Sequence, residues 1–71
     1  MDYEATDKYA LRMAKAQEFR DALAALGLSQ RGAATALQIS DRQVRYYASG
    51  QDDIPRVVWL ALDALRDVRV P

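Results

Sequence analysis

The sequence predicts a small all-α domain of four or five helices, and three observations carry that expectation. Alanine and leucine dominate the chain, with arginine and glutamine common, a mixture that favours helix. The β-branched residues never form the alternating run that a half-buried strand needs. Glycine and proline occur at only five of the 71 positions, and Gly27, Gly50 and Pro55 fall where helices would have to stop or start. A chain of this length makes one domain. It buries only about 60% of the surface its unfolded form exposes, so the core is small.

Thr6 offers the first N-cap, with Asp7 at the positive end of the helix. The helix runs to Leu26, where Gly27 supplies a left-handed stop. Phe19, Ala22, Leu23 and Leu26 keep the three-and-four spacing of a buried stripe. Upstream, Tyr9, Met13 and Ala16 either extend that stripe or belong to a separate short helix. No residue forces a break, so both readings stand, and residues 1–15 are taken as an N-terminal extension.

Ser29 caps a second helix from Gln30 to about Leu37, with Ala33, Ala34 and Leu37 facing inward. Gly32 inside it costs about 1 kcal/mol of propensity, but its missing Cβ can let another helix or a backbone come close. Gln38-Ile39 is long enough only for a turn. Ser40 then opens a third helix, and Gln43 three residues on completes a capping box. This helix spans Asp41 to about Ser49 and ends at Gly50. Val44 and Tyr47 face inward, leaving Arg42, Arg45 and Tyr46 for solvent or a partner.

After a polar loop from Gln51 to Ile54, Pro55 suits the first turn of a fourth helix over residues 55–67. That helix is apolar on nearly every side from Val57 to Leu65. One helix in so small a domain has a single face to give the core. Trp59 serves either as the core anchor or as part of the surplus; the surplus on Val57, Leu60 and Ala64 asks for a second copy of the chain in both cases. The tail from Val68 to Pro71 has little to fold against and is expected to fray unless it adds to a subunit contact.

The composition excludes much. With no cysteine and no histidine, the chain cannot be a disulfide scaffold or a zinc finger, and it has no thiol or imidazole nucleophile. No metal and no cofactor is expected. Its longest apolar run, Val57 to Leu62, is far short of a membrane span. Asp2, Glu4 and Asp7 stand where a signal peptide needs basic residues. Tyr3, Glu4 and Asp7 make no paired-acid site, and there is no Gly-rich phosphate loop. An enzyme acting on a small-molecule substrate is not expected.

Ten basic residues balance ten acidic ones, but the balance is uneven along the chain. Residues 1–27 carry four basic and five acidic groups, and residues 51–71 carry three and four. Between them, residues 28–50 hold Arg31, Arg42 and Arg45 against Asp41 alone. A neutral protein with one positive block can hold polyanion on one face. Two short helices joined by so tight a turn, over residues 29–49, form a helix-turn-helix pattern whose second helix suits the major groove.

The run Leu26-Gly27-Leu28-Ser29-Gln30, then Ala33, Ala34, Leu37, Ile39-Ser40, Val44, Tyr47, Gly50 and Ile54-Pro55, resembles the lambda and 434 repressor and Cro-like helix-turn-helix family, also called the xenobiotic-response-element type. The resemblance covers residues 19–66. It implies a lambda-repressor-like domain of four or five helices that binds double-stranded DNA as a homodimer on a palindromic operator and regulates transcription, as a repressor. It further implies a bacterial or phage protein of the cytoplasm, associated with the nucleoid.

Position by position, the resemblance implies that Gln30 clamps a phosphate and braces a base-reading side chain. Ser40 would touch backbone or base edge from the cap of the recognition helix. Asp41, Arg42 and Tyr46 match base-facing positions, flanked by Gln43 and Arg45, and Ser49 matches a phosphate-facing one. Arg42 has the best chemistry for a bidentate contact to guanine O6 and N7, worth about 1–3 kcal/mol of discrimination. Asp41 can accept from cytosine N4, or serve as an acidic first-turn residue. Arg45 suits base and phosphate equally, and Arg31 suits phosphate.

Many members of that family pair an arginine in helix one with a glutamate near the end of the recognition helix. The matching residues here, Leu23 and Ala48, are both apolar, and removing both charges together spares the fold an unpaired buried ion. Two rival readings use the same fold: a helical protein-interaction module, and an antitoxin-like subunit with a second, protein-binding surface.

Overall fold

The computed structural model describes residues 3–69, with side chains described over residues 9–68. Its four helices are α1 (Tyr3–Ala25), α2 (Gln30–Leu37), α3 (Asp41–Ser49) and α4 (Arg56–Arg69). They form a compact all-α four-helix domain around one core.

One continuous α1 of 23 residues resolves the choice between one helix and two. Thr6 lies within it and is not its N-cap. Glu4 and Ala5 are good helix formers with no breaker nearby, so the helix continues upstream of a threonine that would cap only if the chain turned there. The Asp7 side chain lies outside the described ones. Ala16 is the first buried residue of α1 in the described range, whereas Tyr9 and Leu11 are 66% and 60% exposed. The buried stripe therefore begins at Ala16, and the first half of a helix about 34 Å long runs along the margin of the bundle.

Gly27 ends α1 with φ +70°, and the N–H of Leu28 donates to the Leu23 carbonyl at 2.9 Å. The Ser29 hydroxyl caps α2, accepting from the Gly32 N–H at 2.9 Å. A Cβ on Gly32 would meet only that hydroxyl, at 3.3 Å, and the Leu28 side chain, at 3.5 Å. The gap left by this glycine thus serves its own cap, with no other helix closing on it. Gln38 ends α2 in the left-handed region, φ 59°, and donates to the Ala34 and Thr35 carbonyls. Holding a residue with a Cβ there costs about 1–2 kcal/mol, and it makes the turn into α3 tight.

Ser40 caps α3 by accepting from the Gln43 N–H at 3.0 Å. The capping box is half-formed. The Gln43 side chain donates to Asp52 Oδ2 at 3.0 Å, across the α3–α4 loop, and does not turn back to Ser40. Pro55 precedes α4, its carbonyl accepting from the Val58 N–H at 3.0 Å. The helix reaches Arg69, so Val68 and Arg69 are helical where a frayed tail was expected; the rest of that expectation lies outside the described residues.

The core joins Phe19, Leu23 and Leu26 to Ala33 and Ala34, to Val44, Tyr47 and Ala48, and to Val58 and Leu62. Phe19 is its centre. The Tyr47 and Trp59 rings meet it edge-on, with centroids at 5.8 Å and 6.3 Å, a geometry worth about 0.5–1.5 kcal/mol per pair beyond area burial. Among the described residues no helix is long and apolar enough to cross a membrane.

Candidate nucleic-acid interface

The buried residues of α3 are Val44, Tyr47 and Ala48, and they fix which side it can offer. At about 100° per residue, Asp41, Arg45, Ser49, Arg42 and Tyr46 fall within an outward arc of about 140°. Asp41, Arg42, Arg45 and Ser49 are exposed, and Tyr46 is half-buried at the edge of the arc. Neither arginine joins an ion pair among the described residues. The outward face of α3 is therefore net positive.

Gln43 stands outside that arc. It is half-buried, with its amide committed to Asp52. Next in sequence, Asp53 takes the Arg12 guanidinium on its Oδ1 at 3.0 Å. Both acids of the loop are thus tied to the protein, one to α3 and one to α1.

The expected backbone-contacting residues divide into two groups. Gln30, at the start of α2, and Ser49, at the end of α3, come together with Arg45 around a hollow of about 450 Å³. Arg20, Tyr46, Ala48 and Gln51 complete its lining. Ser49 Oγ is 3.4 Å from the Tyr46 carbonyl. Ser40 and Arg31 are exposed but line no part of this hollow. Asp41 and Arg42 sit at the other end of α3, also away from it.

Arg20 is the residue the sequence reading missed. From α1 its guanidinium reaches the end of α3, donating through Nη1 to the Ala48 carbonyl and through Nη2 to Gln17 Oε1. Leu23 and Ala48, the two apolar residues standing where a charged pair was looked for, are both buried in the core. Arg20, one turn before Leu23, ties α1 to the end of α3 through main chain instead. One signal was available: among the residues of α1 beyond Ala16, Arg20 is the basic one next to the Phe19 stripe.

A larger hollow, about 710 Å³, lies between α1 and α4 over Ala22, Leu26, Trp59 and Leu62. Glu18, Asp21 and Asp63 rim it against Arg66. Its acidic border suits a polyanion poorly, and size alone does not decide between the two. Of the apolar surplus on α4, Val57 and Leu60 are 67% and 55% exposed, and Ala64 is exposed. Trp59 stands apart from those three. It packs against Phe19, and the Lys15 ammonium sits 5.7 Å from its ring centroid.

Tyr47 anchors α3 from beneath. Burial pushes its phenol above the ordinary value of 10.0, and the nearby Asp52 carboxylate pushes in the same direction. Compared with protein-family models, with curated proteins and with solved structures, the chain finds no match.

Proposed function

We propose that this protein is a sequence-specific reader of double-stranded DNA, with α2 and α3 acting as a lambda-repressor-like helix-turn-helix. The observation that carries the reading is the outward face of α3, where Arg42 and Arg45 stand exposed without intramolecular partners among the described residues. Long donors on one helix face are what base-edge acceptors in the major groove require. The hollow beside Gln30, Arg45 and Ser49 is of the kind a backbone phosphate would fill, fixing register without reading sequence. In this reading Arg42 contacts guanine, Asp41, Arg45 and Tyr46 flank it, and Arg31 and Ser40 meet phosphates. Gln43, bound to Asp52, braces the helix instead of reading bases. The chain works as a homodimer with recognition helices about 34–36 Å apart, as a bacterial or phage repressor acting at the nucleoid.

The test is selection from a random duplex library, with the bound fragments sequenced, for wild type and for the Arg42→Ala, Arg45→Ala double variant. A palindromic motif with half-sites one turn apart, lost in the variant, supports the reading. Folded wild-type protein that enriches no motif at low salt overturns it.

The exposed apolar side of α4 favours a second reading, a helical module that joins other proteins. Salt separates the two. Phosphate contacts weaken steeply with salt through counterion release, while an apolar contact barely changes.

A further inference from the structure

We infer that two copies of this chain pair through α4 in antiparallel register, with Arg56 of each copy bound to Asp67 of the other. This deepens the homodimer part of the proposed function, and it stands or falls without DNA.

Val57, Leu60, Ala64 and Val68 recur every three or four residues along α4, and all four are exposed, Val68 by 83%. At about 100° per residue they form one straight stripe. The core-facing residues Val58, Leu62 and Leu65 are centred about 120° further round the helix. An antiparallel partner laid on the stripe therefore meets no other helix of the first copy, and the two bodies splay apart. Val57 then faces the partner's Val68, and Leu60 faces the partner's Ala64. The small Ala61 and Ala64 at mid-helix let the axes come close.

Charge fixes the direction. Arg56 and Asp67 lie on the same flank of the stripe, both exposed, and neither makes an ion pair among the described residues. Each opposes its own helix dipole: a cation on the first residue of α4 and an anion near its last turn. Antiparallel pairing brings Arg56 opposite the partner's Asp67 twice over, within about one residue's rise of direct register. A parallel two-fold pairing would carry the two copies' flanks to opposite sides of the seam and leave Arg56 and Asp67 without the partner's opposite charge. Four side chains from each copy place the contact at or below about 1,200 Å², the low end for specific interfaces.

Sedimentation equilibrium of the full chain without DNA, from micromolar to millimolar concentration, tests this. Wild type is expected to dimerise, and Leu60→Asp to stay monomeric. Arg56→Asp and Asp67→Arg should each weaken the dimer by about tenfold or more, since two attractive pairs become repulsive. Combining them should restore it. Either single change improves the fit to the helix dipole, so loss of the dimer cannot be assigned to loss of the helix, and circular dichroism checks that. A wild type monomeric at millimolar concentration overturns the inference, as does a double variant no tighter than the single ones. A dimer in the absence of any DNA motif leaves this inference standing while the DNA reading falls.

Discussion

Met13 Sδ occupies the space a Cβ on Gly50 would enter, only 2.7 Å away. This contact brings the marginal first half of α1 onto the glycine that ends α3. Gly50 itself holds φ +81° and donates its N–H to the Tyr46 and Tyr47 carbonyls. Gly27 has a similar φ, +70°, but nothing within 4 Å of a Cβ. Gly27→Ala should therefore cost only the left-handed backbone term, about 1–2 kcal/mol. Gly50→Ala should cost that and a smaller increment for displacing the Met13 tip. Urea unfolding of both, with Met13→Ala added to Gly50→Ala, measures the difference. If Met13→Ala recovers none of the excess, the α1 contact is not what makes Gly50 the costlier site.

Arg20 gives a second way to weigh α1 against α3. Its hydrogen bond to the Ala48 carbonyl satisfies an acceptor in the last turn of α3 with a charged donor. Arg20→Met keeps the aliphatic stem and removes the donors. A loss of about 1–2 kcal/mol in chemical denaturation is expected, the lower part of the range for charged donors, because the site is only part-buried. Hydrogen exchange should rise first at the end of α3 and through its cap, from Tyr47 to Gln51. An equal rise across all four helices would mean that Arg20 supports the core as a whole and does not hold the end of α3.

On the DNA reading, arginines at different places should fail differently. Arg31 is exposed at the first turn of α2, and Arg42 stands on the outward face of α3. Arg31→Ala should weaken all duplexes alike and lower the salt slope by about one. Arg42→Ala should cost about 1–3 kcal/mol on the selected operator and far less on random duplex. Fluorescence anisotropy across a salt series separates the two effects. Identical losses on operator and random duplex for Arg42→Ala would remove its base-reading role.

The helix boundaries were legible because the sequence marks them chemically. Ser29 and Ser40 cap, Gly27 and Gly50 stop, and Pro55 starts, each at the position its backbone chemistry favours. Thr6 misled for the same reason: a capping residue is a signal only where the chain turns, and nothing around Thr6 makes it turn. The inward residues of α3 followed from spacing alone. The destinations of long polar side chains did not. Gln43 could bond back to its cap or across to Asp52, and only the fold of the α3–α4 loop decides between them. Arg20 was missed for a related cause. Its acceptor is a main-chain carbonyl, which leaves no trace in residue identity.

Tyr47 ties the core to alkaline stability. Burial raises its phenol above 10.0, with Asp52 adding to the effect, while tyrosines of the unfolded chain titrate near about 10. Between those two values the unfolded state has released a proton that the native state keeps. Stability from this group is then complete below pH about 10 and falls as pH rises through the native value. A comparison with a variant that lacks this phenol isolates the contribution. Urea midpoints measured from pH 8 to 11 should fall more steeply for wild type than for Tyr47→Phe. Asp52→Asn should lie between them, because it removes the smaller of the two causes and leaves burial in place. Parallel curves for wild type and Tyr47→Phe would show that the Tyr47 phenol ionises alike in the folded and unfolded chains, and the link between this ring and the pH limit of the fold would be lost.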